Sequence, residues 1–245
     1  MNPLIVIPAR LASTRLPGKM LADVGGKPLI QHVFERCASA KAAPVLVACD
    51  SEEIAQVIRG VGGEAVLTDP DLPSGSDRVW AGVNAYDPDG AFDTIINVQG
   101  DQPLLEQTLL GHILRPLVSS QVDIATLAAP FDASQDAGAP QAVKVVLGGQ
   151  EEDPIRRALY FSRACVPHGA KTFYHHIGIY AYRRKILNRF VKLTPTLLET
   201  TESLEQLRAL EAGMRMDACI VSAVPMGVDT AQDLDHVRQQ MEQGR

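Results

Sequence analysis

The sequence predicts an α/β fold built on a mainly parallel sheet, and three observations carry that prediction. Short apolar runs recur through the first half of the chain, each bounded by turn residues. Between them lie segments whose apolar residues repeat at helical spacing. Each run ends in a loop that is polar or rich in glycine and proline, as strands feeding right-handed βαβ crossovers do.

The elements follow in order. Leu4, Ile5, Val6 and Ile7 form the first apolar run, read as a buried strand. A loop follows that carries Arg10, Arg15 and Lys19, its backbone shaped by Pro8, Pro17 and Gly18. Leu29, Ile30, Val33, Phe34 and Cys37 then recur at helical spacing, and Pro44 leads into a second strand at 45–49. Asp50 with Glu53 resembles a capping box for a helix running through Ile58, and Gly60, Gly62 and Gly63 stop it. Residues 65–67 read as a short strand, 70–77 as a turn-rich loop and 79–86 as a helix. Residues 94–98 form another buried strand, ending in the polar turn 99–103.

The second half is less regular. Residues 124–129, 143–147 and 178–182 read as strands, with a polar surface loop or hinge at 148–154. Leu204, Leu207 and Leu210 mark a helix stopped by Gly213. A strand at 220–224 leads into Gly227–Thr230, and a polar helix closes the chain.

Composition excludes several classes of function. The 245 residues are 46% hydrophobic and 21% charged, ordinary globular values, and they suffice for one large α/β domain or two small ones. A formal net charge of −6 argues against binding a nucleic-acid polymer and suits a local cationic loop to a small anionic ligand. Cys37, Cys49, Cys165 and Cys219 are scattered without metal-ligand spacing, so most are expected to be reduced and buried. With no apolar run near the roughly 20 residues of a membrane span and no leader pattern, the expectation is a cytoplasmic protein without a membrane partner.

Four constellations carry chemistry. The basic loop after the first strand has the layout of a phosphate cradle, although the same three cations would also serve as a solvated surface. It is neither a Walker loop nor a dinucleotide fingerprint. Asp101, in Asn97–Pro103, and Asp229, in Gly227–Thr230, each follow a predicted strand. They are a plausible pair of oxygen ligands for Mg²⁺, or each is a helix cap, a role that suits Asp229 three residues ahead of Gln232. His176 and Tyr180, four apart on a predicted strand, share one face, as sugar contacts or as the aromatic side of a half-buried strand. Glu205 and Arg208 form either a binding pair or an i,i+3 surface pair.

Eight segments occur together in one order: IPARLASTRLPGK, SGSDR, NVQGDQP, AVKVV, ALYFSRA, HIGIYAYR, LEQLR and GVDT. On these the chain resembles the 3-deoxy-manno-octulosonate (Kdo) cytidylyltransferases along essentially its whole length. The resemblance implies a Rossmann-like, three-layer nucleotide-diphospho-sugar transferase fold with a smaller dimerisation and sugar-binding lobe. On that view residues 1–130 and 215–245 make the nucleotide-binding core and 131–214 the lobe, in one homodimeric domain. It implies transfer of CMP from CTP to Kdo, releasing pyrophosphate, with Mg²⁺ as cofactor, for lipopolysaccharide biosynthesis.

By motif, Arg10, Arg15 and Lys19 would meet the CTP phosphates, and Ser74, Gly75 and Arg78 would lie near the cytidine. Asp101 and Asp229 would hold the metal, making them with Lys19 the catalytic set. Gln99, Lys144, Arg163, His176, Tyr180 and Glu205 would surround the sugar. The chain departs from the family pattern at Gln102, where an acidic residue is common, in SGSDR for the commoner SGTER, and at 200–203. The alternatives are a cytidylyltransferase for 8-amino-Kdo or a nonulosonate such as sialic acid, and, in another class, a non-catalytic nucleotide-binding protein.

Overall fold

A computed structural model of the chain describes residues 1–13, 16–132 and 136–243. It divides into two compact units, the first comprising Met1–Leu110 with Pro225–Arg245 and the second Gly111–Val224. The strands at 124–130 and 216–220, which the resemblance places with the nucleotide-binding core, lie in the second unit of this division.

In the first unit β1 (Pro3–Ala9) is central. A hairpin of two-residue strands, β2 (Asp23–Val24) and β3 (Lys27–Pro28), follows it. Next come α1 (Leu29–Ser39), β4 (Val45–Cys49), α2 (Glu52–Gly60), β5 (Glu64–Leu67), α3 (Gly75–Tyr86) and β6 (Thr94–Asn97). The order β5-β4-β1-β6 is parallel at every pairing. Leu4, Ile5, Val6 and Ile7 are fully buried, which explains the unbroken apolar run: a parallel strand covered on both faces has no polar side. Each such side chain contributes about 1.5–3 kcal/mol of burial.

Local signals were displaced by small amounts. The cap of α2 is Ser51, whose hydroxyl accepts the Glu53 N–H at 3.1 Å, and Asp50 turns elsewhere. Helix α3 begins at Gly75, four residues before the expected 79, because Ser74 accepts the Asp77 N–H at 3.2 Å and caps it.

The one-turn helix α4 (Leu109–His112) leads into the second unit. Five strands lie there: β7 (Ile124–Pro130), β8 (Lys144–Leu147), β9 (Ile155–Ser162), β10 (Tyr174–Arg183) and β11 (Met216–Ile220). Only β7–β11 is parallel. The pairings β10–β7, β11–β9, β9–β8 and β8–β10 are antiparallel and close the strands on themselves as a small barrel. The expectation of a mainly parallel mixed sheet therefore does not extend to this unit.

Strand β9 escaped the sequence reading, and the last strand lies four residues before the expected 220–224. In both, a charged residue sits at a buried position: Arg156 in β9 and Asp217 in β11. Asp217 is matched by two hydrogen bonds from Arg215 at 3.0 Å each, so it can occupy the strand. Helices α5 (Arg184–Phe190), α6 (Leu197–Glu202) and α7 (Gln206–Glu211) complete the unit, and α8 (Ala231–Gln243) returns the chain to the first. Cys37, Cys49 and Cys219 are buried and free, whereas Cys165 is free but exposed. Among the described residues no helix is long and apolar enough to cross a membrane.

Candidate functional site

The carboxyl ends of β1 and β6 in the first unit open onto a cleft of about 280 Å³. The chain leaves β1 at Ala9, so Pro8, Ala9 and Arg10 line the cleft, and Ser74, Gly75 and Arg78 from the start of α3 line it beside them, with Gly75 packed close to Pro8. Gln99, Gly100 and Asp101, beyond β6, make the floor, where Lys19 and Asp229 also reach in. Open parallel sheets collect ligands at this edge because strands end there and loops diverge. Arg15, grouped with these cations by the sequence pattern, lies outside the described residues.

Lys19 is the centre of the cleft's electrostatics. Gly18 adopts φ +69°, a left-handed conformation open to glycine, and turns the chain into the short helical turn Lys19–Leu21. That turn buries the Lys19 side chain, and its Nζ donates to Asp101 Oδ2 at 2.8 Å and to the Val228 carbonyl at 2.7 Å. The same ammonium stands 3.6 Å from Asp229 Oδ1. Two carboxylates more than a hundred residues apart thus converge on one cation. The Val228 N–H donates to the Asp101 carbonyl at 2.9 Å and ties the two loops together. Gly100 suits this close approach, because a Cβ would lie 3.0 Å from the Pro8 carbonyl oxygen and 3.2 Å from the Met20 sulfur, tighter than side chains usually pack.

The helix-cap alternative for Asp229 does not hold. Thr230 caps α8 by accepting the Asp233 N–H at 3.2 Å, and the Asp233 carboxylate accepts the Asp229 and Thr230 N–H groups in return. Burial would raise the Asp233 carboxyl, but those bonds and the Thr230 hydroxyl outweigh it and hold it below its usual range. The Asp229 carboxylate is left facing Lys19 and the cleft. Among the described residues no cluster of three or more His, Cys, Asp or Glu side chains forms, so a metal here would rest on two carboxylates.

Sequence reasoning named Arg78 but missed the partners that hold it, Thr68 and Asp50. Arg78 is 3% exposed; its guanidinium donates to Thr68 Oγ1 at 2.6 Å and to the Pro70 carbonyl at 3.3 Å. It also stands 3.9 Å from Asp50 Oδ2. Asp50 Oδ1 accepts the Leu11 N–H at 2.8 Å. The one available signal was an acid directly after a strand.

The residues assigned by resemblance to the sugar divide between the units. Gln99 lies in the first; Lys144, Arg163, His176, Tyr180 and Glu205 lie in the second. Lys144 is wholly buried and donates to the carbonyls of Ala139 and Arg163; burial, opposed by nearby acidic groups, pulls its ammonium below the usual lysine range. Arg163 donates to the carbonyls of Pro140, Glu202 and Ser203 at 2.8–3.1 Å. Both cations are thus engaged by backbone carbonyls of their own unit. Glu202, which sequence reasoning passed over, organises this region. Its carboxylate accepts from Ser162 Oγ at 2.6 Å and from the Arg163 N–H at 2.9 Å. Burial would raise that carboxyl, but the bonds it accepts hold it below the usual range.

His176 and Tyr180 share a face, with ring centroids 5.5 Å apart. The pairing of β10 with β7 slips by two residues between Ile177 and Tyr180, and an even slip preserves which side chains share a face. His176 Nε2 meets Thr126 Oγ1 at 3.0 Å, and the ring packs edge-on against Phe161. Burial, with His175 beside it, lowers the His176 pKa to about 3 and keeps the imidazole neutral. Burial first, and then the charges of Tyr182 and Glu205, raise the Tyr180 phenol well above its ordinary value. Glu205 stands 3.9 Å from Arg208, but the guanidinium's main partner is Glu199, bound through both oxygens in the capping box of α6. Those bonds lower the Glu199 carboxyl against the opposing effect of burial.

Comparisons with known proteins bear on this arrangement. The cytidylyltransferase family profile matches residues 4–216. A protein of Paramagnetospirillum magneticum named 3-deoxy-manno-octulosonate cytidylyltransferase is 51% identical over 238 residues, covering 97% of this chain and 97% of the relative. One of the same name from Xanthobacter autotrophicus is 55% identical over 235 residues, covering 96% of this chain and 92% of the relative. A solved CMP:2-keto-3-deoxy-manno-octonic acid synthetase complexed with CTP superposes with a TM-score of 0.91 at 37% identity, covering the whole of both chains. A cytidylyltransferase from Leptospira borgpetersenii, 15% identical with a TM-score of 0.65, shares the fold over 99% of this chain and 87% of its own.

Proposed function

We propose that this chain, which belongs to the 3-deoxy-manno-octulosonate cytidylyltransferase family, transfers CMP from CTP to the anomeric hydroxyl of Kdo and releases pyrophosphate. The observation that carries the reading is the convergence of Asp101 and Asp229 on the Lys19 ammonium in the first-unit cleft. Arg10 and Lys19 supply positive charge to a triphosphate there. The N-terminal turn of α3, at Ser74 and Gly75, adds the positive end of a helix dipole to the lining of the cleft.

In the reaction the Kdo hydroxyl oxygen forms a bond to the α-phosphorus. The bond from that phosphorus to the pyrophosphate oxygen breaks in line, and the hydroxyl proton is released. Such a transfer asks chiefly for positioning and charge neutralisation. Two hard carboxylate oxygens from separate loops, with room for phosphate and water ligands in an open cleft, fit Mg²⁺. Bound by Asp101 and Asp229, Mg²⁺ would neutralise phosphate charge and lower the pKa of the attacking hydroxyl. Lys19 holds the two carboxylates at fixed positions and limits their mutual repulsion.

The sugar part of the reading rests on the family resemblance at His176 and Tyr180, whose rings share a face of β10 with centroids 5.5 Å apart. The proposal further includes a Rossmann-like three-layer nucleotide core, a homodimer, a cytoplasmic location and supply of activated Kdo for lipopolysaccharide. Pyrophosphate release from CTP, measured with Kdo, 8-amino-Kdo and sialic acid in turn, tests it. Release with Kdo above the other two is expected. CTP binding without sugar-dependent release would overturn it.

A further inference from the structure

We infer that Asp50 is a positioning residue that ties the basic loop after β1 to the start of α3 at the nucleotide cleft. It lies directly after β4, beside β1 in the sheet, and its side chain is 8% exposed. A buried carboxylate requires partners, and Asp50 has one in the loop after β1 and one in α3. Oδ1 accepts the Leu11 N–H at 2.8 Å, one residue beyond Arg10 in the basic loop. Oδ2 faces the Arg78 guanidinium at 3.9 Å, and Arg78 sits in the first turn of α3, below Ser74 and Gly75.

The rest of the cluster limits what Arg78 can do. Its other donors go to Thr68 Oγ1 and the Pro70 carbonyl, and Thr68 Oγ1 donates to the Cys49 carbonyl at 3.0 Å. Arg78 is therefore locked to the ends of β4 and β5, and Asp50 extends that rigid base to the backbone that carries Arg10. Asp50 does not line the cleft, so its effect on a bound triphosphate passes through Leu11 and Arg10. A catalytic arrangement held within fractions of an ångström depends on such supporting bonds.

The inference rests on CTP being the ligand of the cleft, and the test separates the two. Kdo-dependent pyrophosphate release and CTP affinity by calorimetry are measured for the wild type, Asp50→Ala, Asp50→Asn, Arg10→Ala and the Asp50→Ala/Arg10→Ala pair. Asp50→Ala is expected to raise the KM and Kd for CTP about tenfold, with kcat within about twofold. Asp50→Asn keeps an oxygen for the Leu11 N–H and should recover most of that loss. The double variant should bind CTP no more weakly than Arg10→Ala alone. A wild type without CTP-dependent turnover overturns the functional reading. An active wild type with unchanged CTP affinity in Asp50→Ala and Asp50→Asn overturns the role of Asp50, as does an additive double variant.

Discussion

The two units spend their charged side chains in opposite ways. In the first, Lys19, Asp101 and Asp229 come together at the ends of parallel strands and face an open cleft. In the second, Lys144, Arg163, Arg208 and Glu202 are consumed by partners within the same unit. The difference follows from the sheets. A parallel sheet leaves its carboxyl edge as a row of diverging loops, so charges there can converge on a ligand. A closed barrel turns a share of its strand positions inward, and any charge near them must be matched at once.

The comparison breaks first at Asp101. Asp101→Ala should lower Kdo-dependent turnover on the order of a hundredfold or more while the chain stays folded, since the carboxylate serves a transition state. Near-normal turnover at limiting Mg²⁺ would show that the cleft charges are structural after all.

Arg208→Ala tests the opposite claim for the second unit. Glu199 would be left without the guanidinium that holds it, and urea unfolding should show a loss of about 3 kcal/mol. A loss below about 1 kcal/mol would mean that pair is a weak surface pair.

His176 sharpens the contrast through pH. Its folded pKa of about 3 lies below the unfolded value near 6.5, so the unfolded chain binds the extra proton first. Its contribution to stability is therefore intact above pH 6.5 and is lost as pH falls toward 3. Between pH 6.5 and pH 5 the loss from this group should be about 2 kcal/mol, read as the difference in unfolding free energy between the wild type and His176→Phe at the two values. The smallest effect is at Thr230. Thr230→Ala removes the cap of α8 and should cost about 1 kcal/mol in the same urea assay. A loss of several kcal/mol would mean the Asp229 turn is a load on the whole unit.

Legibility in the sequence tracked the same division. Strands β1, β4 and β6 could be read from apolar runs because both their faces are buried. Strands β9 and β11 could not, because Arg156 and Asp217 interrupt the pattern and are tolerated only through partners such as Arg215. In the site, Lys19, Asp101 and Asp229 were legible from their places after strands, whereas Asp50 read as a helix cap. Glu199 and Glu202 were passed over, since nothing local announces that Arg208 and Arg163 will reach them.

The sequence by itself determined the parallel strands, the family and the cationic loop after strand one, because apolar period and local motif order are written along the chain. Tertiary structure alone decided the barrel, the burial of Lys144, the carbonyl partners of Arg163, and the meeting of Asp101 with Asp229 at one ammonium. Those depend on pairings between distant segments, and the free energy of a charge is set by what surrounds it in space.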